Sequence, residues 1–264
     1  MKVATWNING LKARLNFLRL WLDDRQPDLV GLQELKMTDA VFPHEAFAEL
    51  GYTAIVHGQK SWNGVAVLSR LPMRAVQVGL PDEADMGSRL LHVQVADWLD
   101  FVTLYCPNGK SLEHADYGRK LAWYENLHAY LRNHLGDHAL VGGDFNIVPT
   151  PQDSFRGEAG TGNLFCTVAE RRALQNLYDI GLHDLYRTAE PNSTEFSWWD
   201  YRGGAFHRGQ GLRIDFLLGT QSVGASTSAV CIDRDYRKKH NGLTASDHAP
   251  VIAELVVPSS SASG

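Results

Sequence analysis

Residues 139–146 read ALVGGDFN, an apolar run that leads into two glycines and then into Asp144 and Asn146. If the segment is extended, side chains two positions apart leave the same face, so Asp144 and Asn146 would point together. The glycines allow a sharp turn or a close backbone approach, and Pro149 and Pro151 stop a regular element from continuing. The stretch therefore predicts a buried strand that ends in a polar site, although an ordinary turn would use the same residue types.

The chain has 264 residues, of which 44% are hydrophobic, and this is ample for a large core. No linker, repeat or composition break divides it, so we predict one domain over residues 1–257 and a disordered tail at 258–264. The first ten residues lack the apolar stretch of a signal peptide, and no later run could span a bilayer. We therefore expect a cytoplasmic protein with no membrane partner. The three cysteines have no metal-binding or redox spacing.

The formal net charge of −5 argues mildly against nucleic-acid binding, because affinity for phosphates comes from lysine and arginine. Basic residues nevertheless occur in local groups: at 119–120, at Arg202, Arg208 and Arg213, and at 237–240. A carboxylate-rich metal site would itself make the total more negative. Net charge alone therefore does not decide the class of partner.

The N-terminal region has a strand–helix–strand pattern. An apolar strand is predicted over residues 2–7, a helix through residues 15–22 and a second strand over residues 28–34. Both strands end in polar residues, Asn7 and Glu34. This order indicates a βαβ-like α/β fold in which the ends of different strands converge, so Asn7 and Glu34 are expected to be neighbours.

The middle of the chain contains short strands in succession. They are predicted at 52–57, 64–69, 73–78, 90–95 and 101–105. Because no helices separate them, they should form antiparallel hairpins, and the sheets should be mixed. Further helices are predicted at 44–50, at 121–135, and from a capping box at 167–170 to about residue 178; further strands are predicted at 212–218, 223–232 and 251–257.

Asp215 lies within the otherwise apolar run 212–218, and a buried carboxylate is costly unless it is paired. His248 is a candidate partner, since an acidic neighbour, Asp247, marks its segment as a polar site. Pairing would orient the imidazole and favour its charged form, which provides a cation or proton donor for a phosphate oxygen. The alternative is that His248 is a structural histidine.

The candidate metal ligands are oxygen donors, and no cluster of cysteine and histidine accompanies them. They are Asn7, Glu34, Asp144, Asn146 and Asp247. This set suits Mg²⁺ or Mn²⁺ better than Zn²⁺, and a hard metal with a histidine points to phosphoryl transfer. No G-x-x-x-x-G-K-[ST] segment is present, so water is the expected acceptor of the phosphoryl group.

Several spaced blocks resemble those of a known enzyme group. The segments NING at 7–10, LQE at 32–34, GGDFN at 142–146 and SDHAP at 246–250 look like the signature blocks of the endonuclease/exonuclease/phosphatase superfamily. The segments HGQK at 57–60, NGVA at 63–66, YCPNG at 105–109, SWWDYR at 197–202 and GLRID at 211–215 are similar to its exonuclease III branch of DNA-repair enzymes. The likeness extends from residue 2 to about residue 255.

The resemblance implies a fold and an activity. The implied fold is a four-layer α/β sandwich in which two mixed β-sheets pack face to face, with helices outside. The implied activity is that of a monomeric, Mg²⁺-dependent phosphodiesterase, with Mn²⁺ able to substitute, that acts on duplex DNA. It would incise abasic sites, remove 3′-terminal nucleotides or remove 3′-phosphates by in-line attack of water.

The resemblance also implies roles for the metal and water site. Glu34 would bind the metal, Asn7 would lie in its shell, and Asp247 would complete the network near it. Asp144 would position or deprotonate the attacking water. Asn146 would hold Asp144 and a phosphate oxygen.

Further roles concern the phosphate and the DNA. Tyr105 and His248 would contact the scissile phosphate, and Asp215 would orient His248. Substrate contacts would come from Asn108, Trp198, Leu212, Arg213 and Ile214. In the Gly-rich loop at 152–166, Phe165 is expected either to wedge into DNA or to pack against the protein.

Two alternatives share the same fold. One is a non-catalytic nucleic-acid-binding regulator, and the other is a phosphatase of the superfamily that acts on non-DNA phosphoesters. The presence of Glu34, Asp144, Asp215 and His248 argues against lost catalysis. The block WWDYR at 198–202 and the short chain favour DNA over other phosphoesters.

Overall fold

The computed structural model describes residues 1–257, which form fourteen β-strands and six α-helices. The strands are β1 (Lys2–Asn7), β2 (Leu29–Gln33), β3 (Thr53–His57), β4 (Val65–Ser69), β5 (Met73–Val78), β6 (Leu90–Val95), β7 (Leu99–Tyr105), β8 (Ala139–Asp144), β9 (His183–Asp184), β10 (Trp198–Trp199), β11 (Gly211–Leu212), β12 (Asp215–Gly219), β13 (Thr227–Ile232) and β14 (Val251–Leu255). The helices are α1 (Leu11–Arg25), α2 (His44–Ala48), α3 (Ala115–His134), α4 (Val168–Asp179), α5 (Leu185–Ala189) and α6 (Gln221–Ser226). The tail predicted at 258–264 lies outside the described residues.

Two six-stranded sheets organise the chain. The first has the strand order β13-β14-β1-β2-β4-β3, and the second has the order β5-β6-β7-β8-β12-β9. The pairs β1–β2 and β7–β8 are parallel, and the other neighbours are antiparallel. Both sheets are therefore mixed, as predicted.

The packing has four layers. Inward-facing residues of both sheets, such as Val3 and Leu140, share one apolar cluster between the sheets. On the outer face of the first sheet, Trp21 of α1 packs on Trp6 with ring centroids 5.2 Å apart. On the outer face of the second sheet, Trp123 of α3 is buried with residues of α4 and β8. The predicted α/β sandwich is thus confirmed. In the part of the chain that the structure describes, no helix has the length and apolarity needed to cross a bilayer.

The two glycines of the central strand are required by close packing. A β-carbon at Gly142 would lie 2.9 Å from Leu217 of the neighbouring strand and 3.3 Å from Thr5 of the opposite sheet. A β-carbon at Gly143 would collide with the carbonyl oxygen of Leu104. Gly142 therefore lets β8 lie close to the other sheet, and Gly143 lets the end of β8 lie close to β7, where the polar site forms.

Element boundaries followed from local signals in most places. The strands predicted at 73–78 and 90–95 match β5 and β6 residue for residue. α3 begins earlier than predicted because the side chain of His114 caps it and accepts a bond of 3.0 Å from the Asp116 N–H. α4 begins at the predicted capping box of Thr167 and Glu170.

Two predicted strands were wrong in part. Residues 221–226 form α6, so the strand predicted over 223–232 begins only at Thr227. Val223 is the single buried residue of α6. One apolar position fits both the two-residue period of a strand and the 3.6-residue period of a helix, so the sequence pattern could not distinguish the two structures. The strand predicted over 212–218 is split into β11 and β12, since the N–H of Arg213 bonds to the Asp153 carbonyl instead of the ladder.

The position of Arg213 differs from its predicted role as a substrate contact. Its side chain is only 1% exposed and is held in a buried ion network. The guanidinium lies 2.6 Å from Asp153 and 2.7 Å from Asp184, and Arg187 also reaches Asp153 at 2.6 Å. Arg213 therefore ties the loop after β8 to the second sheet, and its buried guanidinium is paired with internal carboxylates.

Replacing Arg213 with Met is expected to lower the free energy of unfolding by about 3 to 5 kcal/mol, the usual effect of breaking a buried ion pair. The reason is that Asp153, which is fully buried, and Asp184 would lose their shared cation. Denaturant titration followed by circular dichroism measures the change. The matched control is Arg202→Met, where the side chain is 90% exposed and a change below about 0.5 kcal/mol is expected. Equal changes in the two variants would contradict the dependence of the buried Asp153 and Asp184 on Arg213.

Candidate active site

Three polar side chains lie in one row across the second sheet. In the parallel pairing of β7 with β8, Tyr105 is opposite Asp144. In the antiparallel pairing of β8 with β12, Asp215 is opposite Asp144 on the other side. The register of these two pairings therefore places all three side chains at the same end of the sheet.

The first sheet adds Asn7 and Glu34 to this row. Asn7 ends β1, and Glu34 follows β2 with a left-handed backbone (φ 54°). The Asn7 amide donates at 2.9 Å to Glu34 Oε1 and at 2.9 Å to Asp144 Oδ2. One amide thus bridges carboxylates from both sheets, and the predicted neighbourhood of Asn7 and Glu34 is confirmed.

A tight turn follows Asp144. Its Oδ1 accepts a bond of 2.9 Å from the Asn146 N–H, and Asn146 has a left-handed backbone with φ 50°. The Asn146 amide donates to the Cys106 carbonyl at 2.9 Å, and the Asn108 amide lies 3.5 Å from Asn146 Oδ1. The strained turn orients both Asp144 and Asn146.

His248 is paired with Asp215. Its Nδ1 lies 2.9 and 3.1 Å from the two oxygens of Asp215, and Ser197 Oγ donates to Asp215 Oδ2 at 2.6 Å. Burial alone would lower the pKa of His248, but the charge and hydrogen bond of Asp215, together with the carboxylates of Asp144 and Asp247, outweigh burial and raise that pKa. His248 is therefore a cation at neutral pH. Its Nε2 lies 3.8 Å from Asp144 Oδ2, which places the charge next to the row.

The other titratable groups also have shifted pKa values. Burial raises the pKa of Asp144, and the carboxylates of Asp215 and Glu34 raise it further against the opposing effect of His248. Burial, together with the carboxylates of Glu34 and Asp144, raises the pKa of Tyr105 well above its usual value. Tyr105 therefore keeps its proton and can donate it in a hydrogen bond, whereas Asp144 is a strong proton acceptor.

The site has the donors of a hard cation. Possible ligand atoms of Glu34, Asp144 and His248 lie within 4.8 Å of one another. Because His248 is charged and bonded to Asp215, the two carboxylates are the donors that fit a metal. Burial alone would raise the pKa of Glu34, but the ammonium group of Lys36, 2.8 Å away, helps to lower it below its usual value. Glu34 is thus ionised, and its surroundings already favour a neighbouring cation.

Asp247 lies outside this cluster. Its Oδ1 accepts from the Asn9 amide at 2.8 Å and its Oδ2 from the Trp198 indole at 3.0 Å. Asn7 likewise directs its amide donors, not its oxygen, toward the carboxylates. The contacts of Asp247 therefore hold Asn9 and Trp198, and those of Asn7 hold Glu34 and Asp144.

Beside the row lies an open cavity of about 500 Å³. Its apolar lining comes from Phe155, Phe165, Trp198 and Leu212, while Ile214 is buried beneath Trp198 and Leu212. Phe165 packs against the small cluster that contains Ile214, and Phe155 is the more exposed ring, at 41%. Of the two expectations for Phe165, packing against the protein is the one that the structure supports.

Two contributors were missed by sequence reasoning. Ser197 fixes Asp215, and Lys36 is paired with Glu34. Ser197 stands inside the block SWWDYR, where a serine among aromatic residues was a signal of a buried hydroxyl. Lys36 stands two positions after Glu34, and nothing in its sequence context distinguishes it from a surface lysine.

The two mixed sheets face each other and carry a row of carboxylates, a phenol and an imidazolium at one end. This arrangement indicates a hydrolytic enzyme that acts on phosphoesters. The chain belongs to the Endonuclease/Exonuclease/phosphatase family, whose model matches residues 4–248.

Individual relatives agree with this assignment. Exodeoxyribonuclease III of Haemophilus influenzae is 35% identical over 97% of this chain and 100% of its own. A 3′ phosphatase from Neisseria, solved with a product DNA hairpin, is 35% identical with a TM-score of 0.92, covering 97% of this chain and 100% of that one. An AP endonuclease from Archaeoglobus fulgidus is 31% identical with a TM-score of 0.92 and the same coverage. The chain is a hydrolytic nuclease of the exonuclease III-like branch.

Proposed function

We propose that this protein is a Mg²⁺-dependent DNA-repair nuclease that cleaves phosphodiesters at abasic sites and 3′ ends of duplex DNA, and that it acts as a monomer in the cytoplasm. One observation carries the proposal. Possible ligand atoms of Glu34, Asp144 and His248 lie within 4.8 Å of one another, at the end of the sheets where Tyr105 and Asp215 also lie. This arrangement contains a water-activating carboxylate, a metal-binding carboxylate and two phosphate donors. The names of the relatives point to the same substrates.

The protein's own groups divide the work of hydrolysis. Asp144, with its raised pKa, accepts the proton of the attacking water. His248 and Tyr105 donate to non-bridging phosphoryl oxygens and stabilise the charge that develops there. Asn146 holds Asp144 through its backbone N–H at 2.9 Å.

A divalent metal would be held by the carboxylate of Glu34, with the Asn7 amide, which bonds to both Glu34 and Asp144, keeping this ligand beside the water-activating carboxylate. When bound, it supplies Lewis-acid stabilisation of charge on the phosphoryl group. Oxygen donors of this kind suit Mg²⁺, and Mn²⁺ should substitute.

The cavity supports DNA as the substrate. Trp198 connects it to the catalytic row, since its ring lies 6.5 Å from that of His248. Arg156 and Arg202 line the same cavity and provide cations for a DNA backbone. Its apolar wall of Trp198 and Leu212 suits a sugar without its base. A non-catalytic regulator would not need a complete and ordered set of catalytic groups.

The test uses three matched duplexes that carry an abasic site, a 3′-phosphate or an intact recessed 3′ end. We expect Mg²⁺-dependent cleavage of the first two and shortening of the third, with loss of all activity in EDTA. Protein carrying Asp144→Asn and purified in parallel controls for contaminating nucleases. Cleavage that survives EDTA, or none on any duplex, would reject the proposal.

Glu34→Ala is expected to lower turnover by about 100-fold or more at low Mg²⁺, because the metal loses a carboxylate donor. High Mg²⁺ or Mn²⁺ should restore part of the rate, since mass action refills a weakened site. Titration of the metal at saturating duplex DNA measures both effects. The role of Glu34 would be wrong if its variant had the wild-type metal dependence.

A further inference from the structure

Helix α3 presents two buried donors to the turn that carries the catalytic residues. The Lys120 ammonium donates to the Asn146 carbonyl at 2.7 Å. One helical turn later, the Tyr124 hydroxyl donates to the Phe145 carbonyl. Two successive carbonyls after Asp144 are thus captured by side chains four residues apart on one helix.

Lys120 is an unusual choice for this task. Its side chain is fully buried, and so is that of its ionic partner Glu170, 2.6 Å away. The ammonium also lies 3.5 Å from the Asn108 carbonyl and 4.9 Å from the ring centre of Phe165. A buried ion pair contributes little net stability relative to apolar residues of similar size, so stability alone does not explain its presence.

The contacts of Lys120 converge on functional elements. Asn146 and Asn108 lie at the catalytic row, and Phe165 lines the neighbouring cavity. Glu170 also accepts from the backbone N–H of Thr167 at 3.1 Å and from its hydroxyl at 2.9 Å, which fixes the start of α4. Lys120 therefore connects the catalytic turn to the loop that forms the cavity wall.

Asn146 depends on such support because its backbone is left-handed, at φ 50°. Its N–H orients Asp144, so a relaxed turn would misplace the group that activates water. We propose that Lys120 is a positioning residue for hydrolysis, which holds the Asn146 peptide and links it to the Phe165 loop. This inference rests on the proposed function and adds a residue outside the catalytic row to it.

The test is a double-mutant cycle with Lys120→Met, Glu170→Gln and the double variant. Lys120→Met strands the buried carboxylate of Glu170 and should lower the melting temperature. In the double variant the neutral amide at position 170 can still cap α4, so stability should return close to that of the wild type. Turnover, expressed per folded molecule, should remain about 10-fold to 100-fold low, as expected when a reacting group is misplaced by about 1 Å.

Two readouts separate the outcomes. The expected result is a fall in kcat with KM for duplex DNA changed less than 3-fold, together with a shifted Asn146 amide signal in NMR spectra of the double variant. A double variant with turnover within 2-fold of wild type would overturn the proposal and leave Lys120 as a partner of Glu170 only. If wild-type protein cleaves no duplex, the proposed function fails, while the Asn146 amide signal still tests positioning by itself.

Discussion

Asp144→Asn is expected to lower the rate of phosphodiester cleavage by about 1,000-fold or more, within the range for loss of a general base. The amide keeps the shape of the carboxylate, and its oxygen can still accept from the Asn146 N–H, which bonds to Asp144 Oδ1 at 2.9 Å. It cannot accept a proton from water. Single-turnover cleavage of abasic duplex DNA measures the loss.

The response to metal distinguishes Asp144 from Glu34. Raising Mg²⁺ or Mn²⁺ should not recover the Asp144→Asn variant, because its missing function is proton transfer and not mainly metal affinity. An unchanged melting temperature serves as the control for folding. If high Mn²⁺ restores both variants equally, the division of roles between the two carboxylates is wrong.

Asp215→Ala and His248→Ala are each expected to reduce turnover by about 100-fold to 1,000-fold, the usual effect of losing one charged donor to a developing oxyanion. The two side chains are buried and bonded at 2.9 Å, and Asp215 keeps His248 charged. The double variant should therefore be little slower than either single variant, as is usual for groups that act as a unit.

A double-mutant cycle on one duplex substrate measures this coupling. Full additivity of the two losses would contradict it, because independent groups multiply their effects on rate. Ser197→Ala provides a matched comparison, since the Ser197 hydroxyl donates to Asp215 at 2.6 Å and acts on His248 through that carboxylate. It should cause a smaller loss that disappears in the Asp215→Ala background.

Much of the fold was predictable because its signals are local. Alternation, apolar runs and capping residues predicted β5, β6 and the start of α4 at their observed positions. The resemblance of spaced blocks supplied the four-layer arrangement, which no periodicity could have given. The failures occurred where one sequence pattern suits two structures, as at Val223 in α6.

The site residues were predictable from the sequence only in part. The residues at strand ends were marked by polar side chains after apolar runs, and the structure brings Asn7, Glu34, Tyr105, Asp144 and Asp215 together. Arg213 was predicted to contact the substrate because of the family resemblance, and yet its side chain points into a buried network. A basic residue beside a conspicuous motif can bind DNA or an internal carboxylate, and only burial distinguishes these cases.

The sequence by itself determined which acids, bases and oxygen ligands are available, and the likeness of its spaced blocks to a known family supplied the roles proposed for them. Tertiary structure alone decided how they are charged and which neighbours hold them. The raised pKa of Asp144 arises from burial and from the carboxylates of Asp215 and Glu34, whereas the raised pKa of His248 arises from surrounding carboxylates that outweigh the opposite effect of burial. The contact of Lys120 with the Asn146 carbonyl likewise exists only because α3 packs on the second sheet. Desolvation and Coulomb interactions depend on distances in space, which residue order does not contain.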